Sequence, residues 1–176
     1  MWGKVDINVK KCLTFPQNSR IQKKDERGEE MTGRFYHILD AKGRLSIPTR
    51  LREKLGESFY VTISTEITVN NTAEKYLTAY TNASWDRLME SLLAMPRNER
   101  NKLRSLLSRA QPCDLDGQGR ILIPPHLREW AGLKKNITIV GFGDCAQIWD
   151  SDTFAVVDEA ETSPENLASA LEASGI

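Results

Sequence analysis

An aspartate and an arginine stand four residues apart twice in this 176-residue chain, as Asp40 and Arg44 in "LDAKGRLSIP" and as Asp116 and Arg120 in "LDGQGRILIP". In each copy the aspartate holds the first place of a tight-turn pattern, where a carboxylate accepts backbone N–H bonds. A glycine, Gly43 or Gly119, holds the fourth, where a left-handed backbone is easiest. An arginine four residues on can pair with that carboxylate and have its guanidinium fork fixed by it. A fork held this way offers two parallel donors, which suit a phosphate or the edge of a guanine. In one isolated copy, an ion pair that merely staples the turn is the simpler reading.

Other chemistries find little footing. The chain has no nucleophile elbow, no phosphate-cradling glycine loop and no zinc motif. Asp40 and Asp116 could be imagined as a carboxylate dyad, but each has its own arginine and turn to serve. Cys12, Cys113 and Cys145 are odd in number and widely spaced, and His37 and His126 lie outside any ligand pattern. The expectation is a protein with no catalytic residues, no metal and no cofactor, acting on no small-molecule substrate, with reduced cysteines in the cytoplasm. At 40% hydrophobic and 27% charged residues the composition is that of a globular domain, and no apolar run is long enough to cross a bilayer. The opening residues offer no secretory signal.

The formal net charge is zero but unevenly spread: residues 31–150 hold 17 basic and 13 acidic groups, and residues 151–176 are acidic without a single Lys or Arg. So slight an excess in the body does not by itself point to nucleic acid. Any such reading rests on where the arginines sit. Lys42, Arg34, Arg50, Arg52 and Arg128 lie near the two turns in sequence and are candidates for phosphate contacts.

The elements that must position these residues are also written twice. "LDAKGRLSIPTRLREKL" (39–55) returns as "LDGQGRILIPPHLREWA" (115–131) at an offset of 76 residues. Each copy reads as a strand, a turn, a second strand and a short helix entered through a proline, with hairpin chemistry at the turn. Strands are expected over 58–64 and 75–81 across a polar Thr/Asn loop, and over 136–142 and 146–151 in the second copy. Tyr80 aligns with Trp149 only if the first copy carries a longer loop at 65–74, an inexpensive kind of insertion.

Between the copies, two helical stretches flank Pro96. Trp85, Leu88, Met89, Leu92 and Leu93 share one apolar face, which Leu103, Leu106 and Leu107 continue. Arg97, Arg100, Lys102, Arg104 and Arg109 on the opposite side read as a solvated helix face. The expected organisation is a flexible extension (1–30), a first module (31–81), connecting helices (82–110), a second module (111–157) and an acidic tail (158–176) containing at most a short helix.

The doubled phrase "LD-x-x-GR-[LI]-x-IP-x-x-LRE", together with "MTGRFYHILDAKGRLSIPTRLREKL" and the Pro96 helix pair, resembles the MraZ family of bacterial transcriptional regulators from Met31 to about residue 157. The resemblance implies an α+β, mainly β fold. It consists of two AbrB-like swapped-hairpin (SpoVT-AbrB) modules in tandem, interlocked about a pseudo-twofold axis and joined by connecting helices. It also implies a ring-like homo-oligomer, cytoplasmic and nucleoid-associated. Such a ring binds short direct repeats of double-stranded DNA in the promoter of its own operon, within the division and cell-wall gene cluster, and usually represses it. The DNA-binding role maps onto Asp40, Arg44, Asp116 and Arg120, with Lys42, Arg34 and Arg50 beside them. The competing reading is a non-catalytic oligomeric interaction module, antitoxin-like or a scaffold, that uses the same fold for protein partners.

Overall fold

A computed structural model describes residues 30–175; the expected extension at 1–30 lies, but for Glu30, outside them. Among the described residues eight strands and seven helices follow in order. The first repeat contributes β1 (Arg34–Ile38), β2 (Arg44–Ser46), α1 (Thr49–Leu55), β3 (Ser58–Ile67) and β4 (Ala73–Tyr80), followed by α2 (Asn82–Ala94), α3 (Arg97–Lys102) and α4 (Arg104–Ser108). The second contributes β5 (Gln111–Asp114), β6 (Arg120–Leu122), α5 (Pro125–Trp130), β7 (Asn136–Phe142) and β8 (Cys145–Asp150), then α6 (Ser151–Glu161) and α7 (Pro164–Ser174). The fold is α+β with the core built by the sheets.

The six-stranded sheet has the order β1-β7-β8-β4-β3-β5, and β2 and β6 form a separate two-stranded ribbon. All pairs are antiparallel, and most cross between repeats. β1 lies on β7 with Phe35 opposite Ile139, and β5 lies on β3 with Gln111 opposite Val61. At the centre β4 meets β8, with Thr78 opposite Gln147. The ribbon obeys the same symmetry: Leu45 faces Ile121, flanked by Arg44 opposite Leu122 and Ser46 opposite Arg120. Reading the order from either end exchanges one repeat for the other, so the two are related by a pseudo-twofold axis.

This pairing corrects the local hairpin expectation. Across its own turn the first repeat makes only the Leu39–Leu45 bridge, and β2 then leaves β1 for the partner repeat's β6. Three-residue strands gain little from pairing locally. They gain more by burying Leu45 and Ile121, both essentially inaccessible, beneath α1 and α5, where Leu51, Leu55 and Leu127 complete one core with Phe59, Ile123 and Ile137.

Three further departures have physical causes. The polar stretch at 65–74 extends β3 and β4 rather than looping out; Thr65–Ile67 pair with Ala73–Lys75, leaving only residues 68–72 as the turn. On α2, Trp85, Leu88 and Leu92 are buried as expected but Leu93 is exposed, one position off the stripe. The second helical stretch breaks at Leu103 into α3 and α4, and Thr62 donates to the Leu106 carbonyl at 2.7 Å, docking α4 on β3.

The acidic end is helical through most of its length. Asp150 caps α6 through the Asp152 amide, and Ser163 followed by Pro164 caps α7. α6 occupies the place after β8 that α2 holds after β4. Phe154 packs beside Trp149, whose ring stacks on Tyr76 at 4.1 Å, while Trp85 stacks on Tyr60 at 4.8 Å.

Candidate nucleic-acid interface

Both turns are built from the same bonds. In the first, the Gly43 amide donates to the Asp40 carbonyl at 2.9 Å and the Asp40 amide to the Arg44 carbonyl at 3.0 Å; in the second, Gly119 and Asp116 do the same, both at 2.8 Å. The carboxylate fills the turn. One Asp40 oxygen accepts from the amides of Lys42 and Arg44, both at 2.9 Å, and the other accepts from Arg44 Nε at 2.6 Å. One Asp116 oxygen accepts from the Gln118 and Arg120 amides at 2.9 and 3.0 Å, and the other from Arg120 Nε at 2.9 Å.

The bonds favour ionised carboxylates. Asp40 is held below the usual aspartate range, first by the Arg44 amide and then by its guanidinium. For Asp116 the Arg120 side chain leads, followed by its amide, and the carboxyl is lowered to about 2. Each arginine therefore keeps a permanent anionic partner on one edge of its guanidinium while the side chain stays partly exposed.

The ribbon brings the two arginines together. Along β2 and β6, Leu45 and Ile121 point into the core, so Arg44, Ser46, Arg120 and Leu122 must all project from the opposite face. Arg44 and Arg120 are diagonal neighbours across this ribbon, a placement that sets their backbones roughly 7–8 Å apart. One chain thus presents two similarly anchored forks on a single outward surface.

The other expected residues are placed unequally. Lys42 is exposed at the tip of the first turn, two residues before Arg44, and Arg50 is exposed on α1, the helix whose Arg52 covers the second turn. Arg34 is committed elsewhere: its guanidinium forms an ion pair with Asp158 of α6 and lies 4.7 Å from the centre of the Phe154 ring. Arg52 and Arg128 are not open to a phosphate in the expected way either. Each reaches across the axis and covers the turn glycine of the other repeat. A Cβ on Gly43 would stand 2.9 Å from the Arg128 guanidinium carbon, and one on Gly119 only 2.6 Å from that of Arg52.

Both glycines have positive φ, +81° and +72°, so the turns need them for backbone conformation as well as for this contact. Arg128 Nε is satisfied by the Ile123 carbonyl at 3.0 Å. Arg52 bonds Thr49 at 2.7 Å, but its Nε is buried without a hydrogen-bond partner among the described residues. The sequence signal for this brace was the exact repetition of Arg52 and Gly43 as Arg128 and Gly119.

A family model described as "MraZ protein, putative antitoxin-like" matches the chain twice, over residues 31–105 and 106–172. The chain belongs to the MraZ family. Relatives in this family carry the name Transcriptional regulator MraZ. The protein from Heliobacterium modesticaldum is 39% identical over 143 residues, covering 79% of this chain and 94% of the relative. That from Thioalkalivibrio sulfidiphilus is 39% identical over 119 residues, covering 66% and 77%, and that from Halothermothrix orenii is 35% identical over 148 residues, covering 82% and 98%. The two MraZ repeats are in tandem, and each includes one of the anchored arginines described above.

Among the described residues, no helix is long and apolar enough to cross a membrane and no cluster of His, Cys, Asp and Glu could hold a metal ion. Cys113 and Cys145 are buried and form no disulfide with each other, and burial pushes the Cys113 thiol up to about 11, away from thiolate chemistry.

Proposed function

We propose that this chain is a transcriptional regulator, not an enzyme, that binds double-stranded DNA in a sequence-specific manner through the outward face of the β2–β6 ribbon. Arg44 and Arg120 make the base or phosphate contacts, Asp40 and Asp116 orient them, and Lys42 and Arg50 hold flanking phosphates. Arg34 is the weakest member of this set, since Asp158 of α6 neutralises it. The modules at 31–81 and 111–157 supply the ribbon, with residues 82–110 connecting them.

The observation that carries the reading is the pair of carboxylate-anchored guanidinium groups on one face of a rigid ribbon. The relatives' shared name supports regulation of transcription as the outcome. A single ribbon makes few phosphate contacts and binds weakly on its own. Useful affinity therefore calls for several copies on one DNA, which favours a ring-like homo-oligomer on short direct repeats spaced near one helical turn, about 34 Å. The proposed target is the promoter of the chain's own operon in the division and cell-wall cluster, with repression as the usual result, in the cytoplasm at the nucleoid.

The test is fluorescence anisotropy with DNA from upstream of the gene and a scrambled-repeat control, read across a salt series. The wild type should prefer the repeats. Arg44→Ala should lose that preference while remaining folded and oligomeric. An Arg44→Ala protein that binds like the wild type would reduce the Asp–Arg pairs to turn staples and turn attention to a protein partner.

A further inference from the structure

The outward ribbon face is not symmetric. At the 76-residue offset Arg44 is matched by Arg120, but Ser46 is matched by Leu122, Lys42 by Gln118 and Arg50 by His126. Leu122 is the odd member. It is 60% exposed, on the same face as the two guanidinium groups and directly opposite Arg44, while its symmetry mate Ser46 lies opposite Arg120. A lone exposed leucine elsewhere on a surface would need no account. This one stands on a three-residue strand between two anchored cations, where the core is already filled from the other side by Leu45 and Ile121.

We propose that Leu122 is a specificity-determining contact that meets the C5-methyl group of a thymine in the major groove, and that it gives the reading head its direction. The inference rests on the DNA-binding reading above. The two arginines bring the ribbon against a polyanion, and the groove offers one apolar feature at a base edge, the thymine methyl. A side chain of this size and exposure can cover that methyl without disturbing either fork.

Direction follows from the same asymmetry. A head with true twofold symmetry matches a palindromic site, because the symmetry of the operator mirrors that of the protein. Direct repeats have a polarity, so a head that reads them in one sense must differ between its halves. Here Arg44 is flanked by Leu122 and Lys42, a half with an apolar reader. Arg120 is flanked by Ser46 and Gln118, a half that carries hydrogen-bonding groups, with Arg50 on the helix that packs against its turn. The two halves differ in what they present beside each fork, and only the first places an apolar side chain, Leu122, on the base.

The experiment uses the intact protein and the repeat-bearing promoter DNA, with each thymine of the repeats replaced in turn by deoxyuridine, which removes the methyl and keeps the pairing edge. At one position the wild type should lose about three- to fivefold in affinity, the scale of one buried methyl group. Leu122→Ser should bind unmodified DNA with a similar loss and be indifferent to uracil at that position. Leu122→Met, which keeps an apolar tip, should recover both affinity and uracil sensitivity.

A wild type indifferent to uracil at every position, repeats that contain no thymine, or a Leu122→Ser protein as uracil-sensitive as the wild type would overturn the inference. Arg44→Ala on the same DNA separates this failure from that of the parent reading. If the wild type still prefers the repeats and Arg44→Ala does not, only the Leu122 contact falls. If the wild type shows no preference for the repeats, both fall.

Discussion

The guanidinium of Arg52 lies against Gly119, the glycine that closes the other repeat's turn, and Arg128 lies against Gly43 in the same way. Each Asp–Arg turn is therefore braced by a helix of the opposite repeat. The brace makes the interlocked pairing of the strands relevant to the site, because neither arginine fork is positioned by its own repeat alone.

Gly119→Ala should be destabilising for two separable reasons. Positive φ at a non-glycine residue costs on the order of 1–2 kcal/mol, and the new methyl also drives Arg52 off the turn. In an Arg52→Ala background only the first cost remains. Denaturant unfolding of the four proteins of this cycle should show Gly119→Ala costing less when Arg52 is already absent. Equal costs in both backgrounds would mean that Arg52 does not rest on the turn in solution.

Leu45→Ala tests the axis itself. Leu45 is fully buried opposite Ile121 where the two repeats cross, and truncating such a side chain typically costs about 2–5 kcal/mol. The midpoint of chemical unfolding should fall accordingly. A loss much below ~1 kcal/mol would place the ribbon outside the core.

Asp116 sets a pH dependence with a definite sign. Its carboxyl is depressed to about 2, so its stabilising contribution is present in full above the ordinary aspartate range and is lost as the pH falls through about 2. Asp116→Asn should therefore be less stable than the wild type at pH 7, with the difference narrowing below pH 4. Carboxyl NMR titration should find the Asp116 midpoint well below that of a free aspartate.

Glu66 has the opposite sign. It faces Glu74 across the β3–β4 pair and lies near Glu161 of α6. Burial first, then repulsion from Glu161 and Glu74, raises its carboxyl to about 7 despite a hydrogen bond from Tyr76. The folded state thus favours the protonated acid, and stability falls as the pH rises from the ordinary glutamate range toward 7. Glu66→Gln should raise the melting temperature at pH 8 by roughly 2–4 °C, what about 1 kcal/mol moves in a chain of this size. At pH 5 the gain should be smaller. A larger gain at pH 5 than at pH 8 would contradict the assignment.

The parts of the fold legible in the sequence are those fixed by local chemistry. Asp40 and Gly43 specify a turn from within four residues, Pro48 and Pro124 mark helix starts, and the spacing of Trp85, Leu88 and Leu92 identifies the buried face of α2. What was hidden depends on residues far apart in the chain. "RLS" and "RIL" are too short to carry a period, and each finds its partner 76 residues away. The Thr-rich stretch at 65–74 reads as a loop by its polarity, although threonine suits a half-exposed strand.

The acidic end hid two helices for a similar reason. Its charge suggests a tail, but Asp150 and Ser163 are caps, and Val157 and Phe154 supply a contact face that only its packing on Tyr76 of β4 and Trp149 of β8 makes meaningful. Within the site, the Asp–Arg pairs were readable from spacing alone. The capture of Arg34 by Asp158, and the crossing of Arg52 and Arg128 to the opposite turns, were not.

The most direct test of the central claim keeps the charge and removes the fork. Arg44→Lys combined with Arg120→Lys leaves two cations on the ribbon but no planar guanidinium for the carboxylates to orient. Binding should be measured by fluorescence anisotropy on repeat-bearing and scrambled promoter DNA across a salt series. If the anchored forks read the DNA, the double variant keeps the salt dependence of non-specific binding and loses its preference for the repeats. If it discriminates the repeats as well as the wild type does, the paired arginines are not the reading element and the account is wrong.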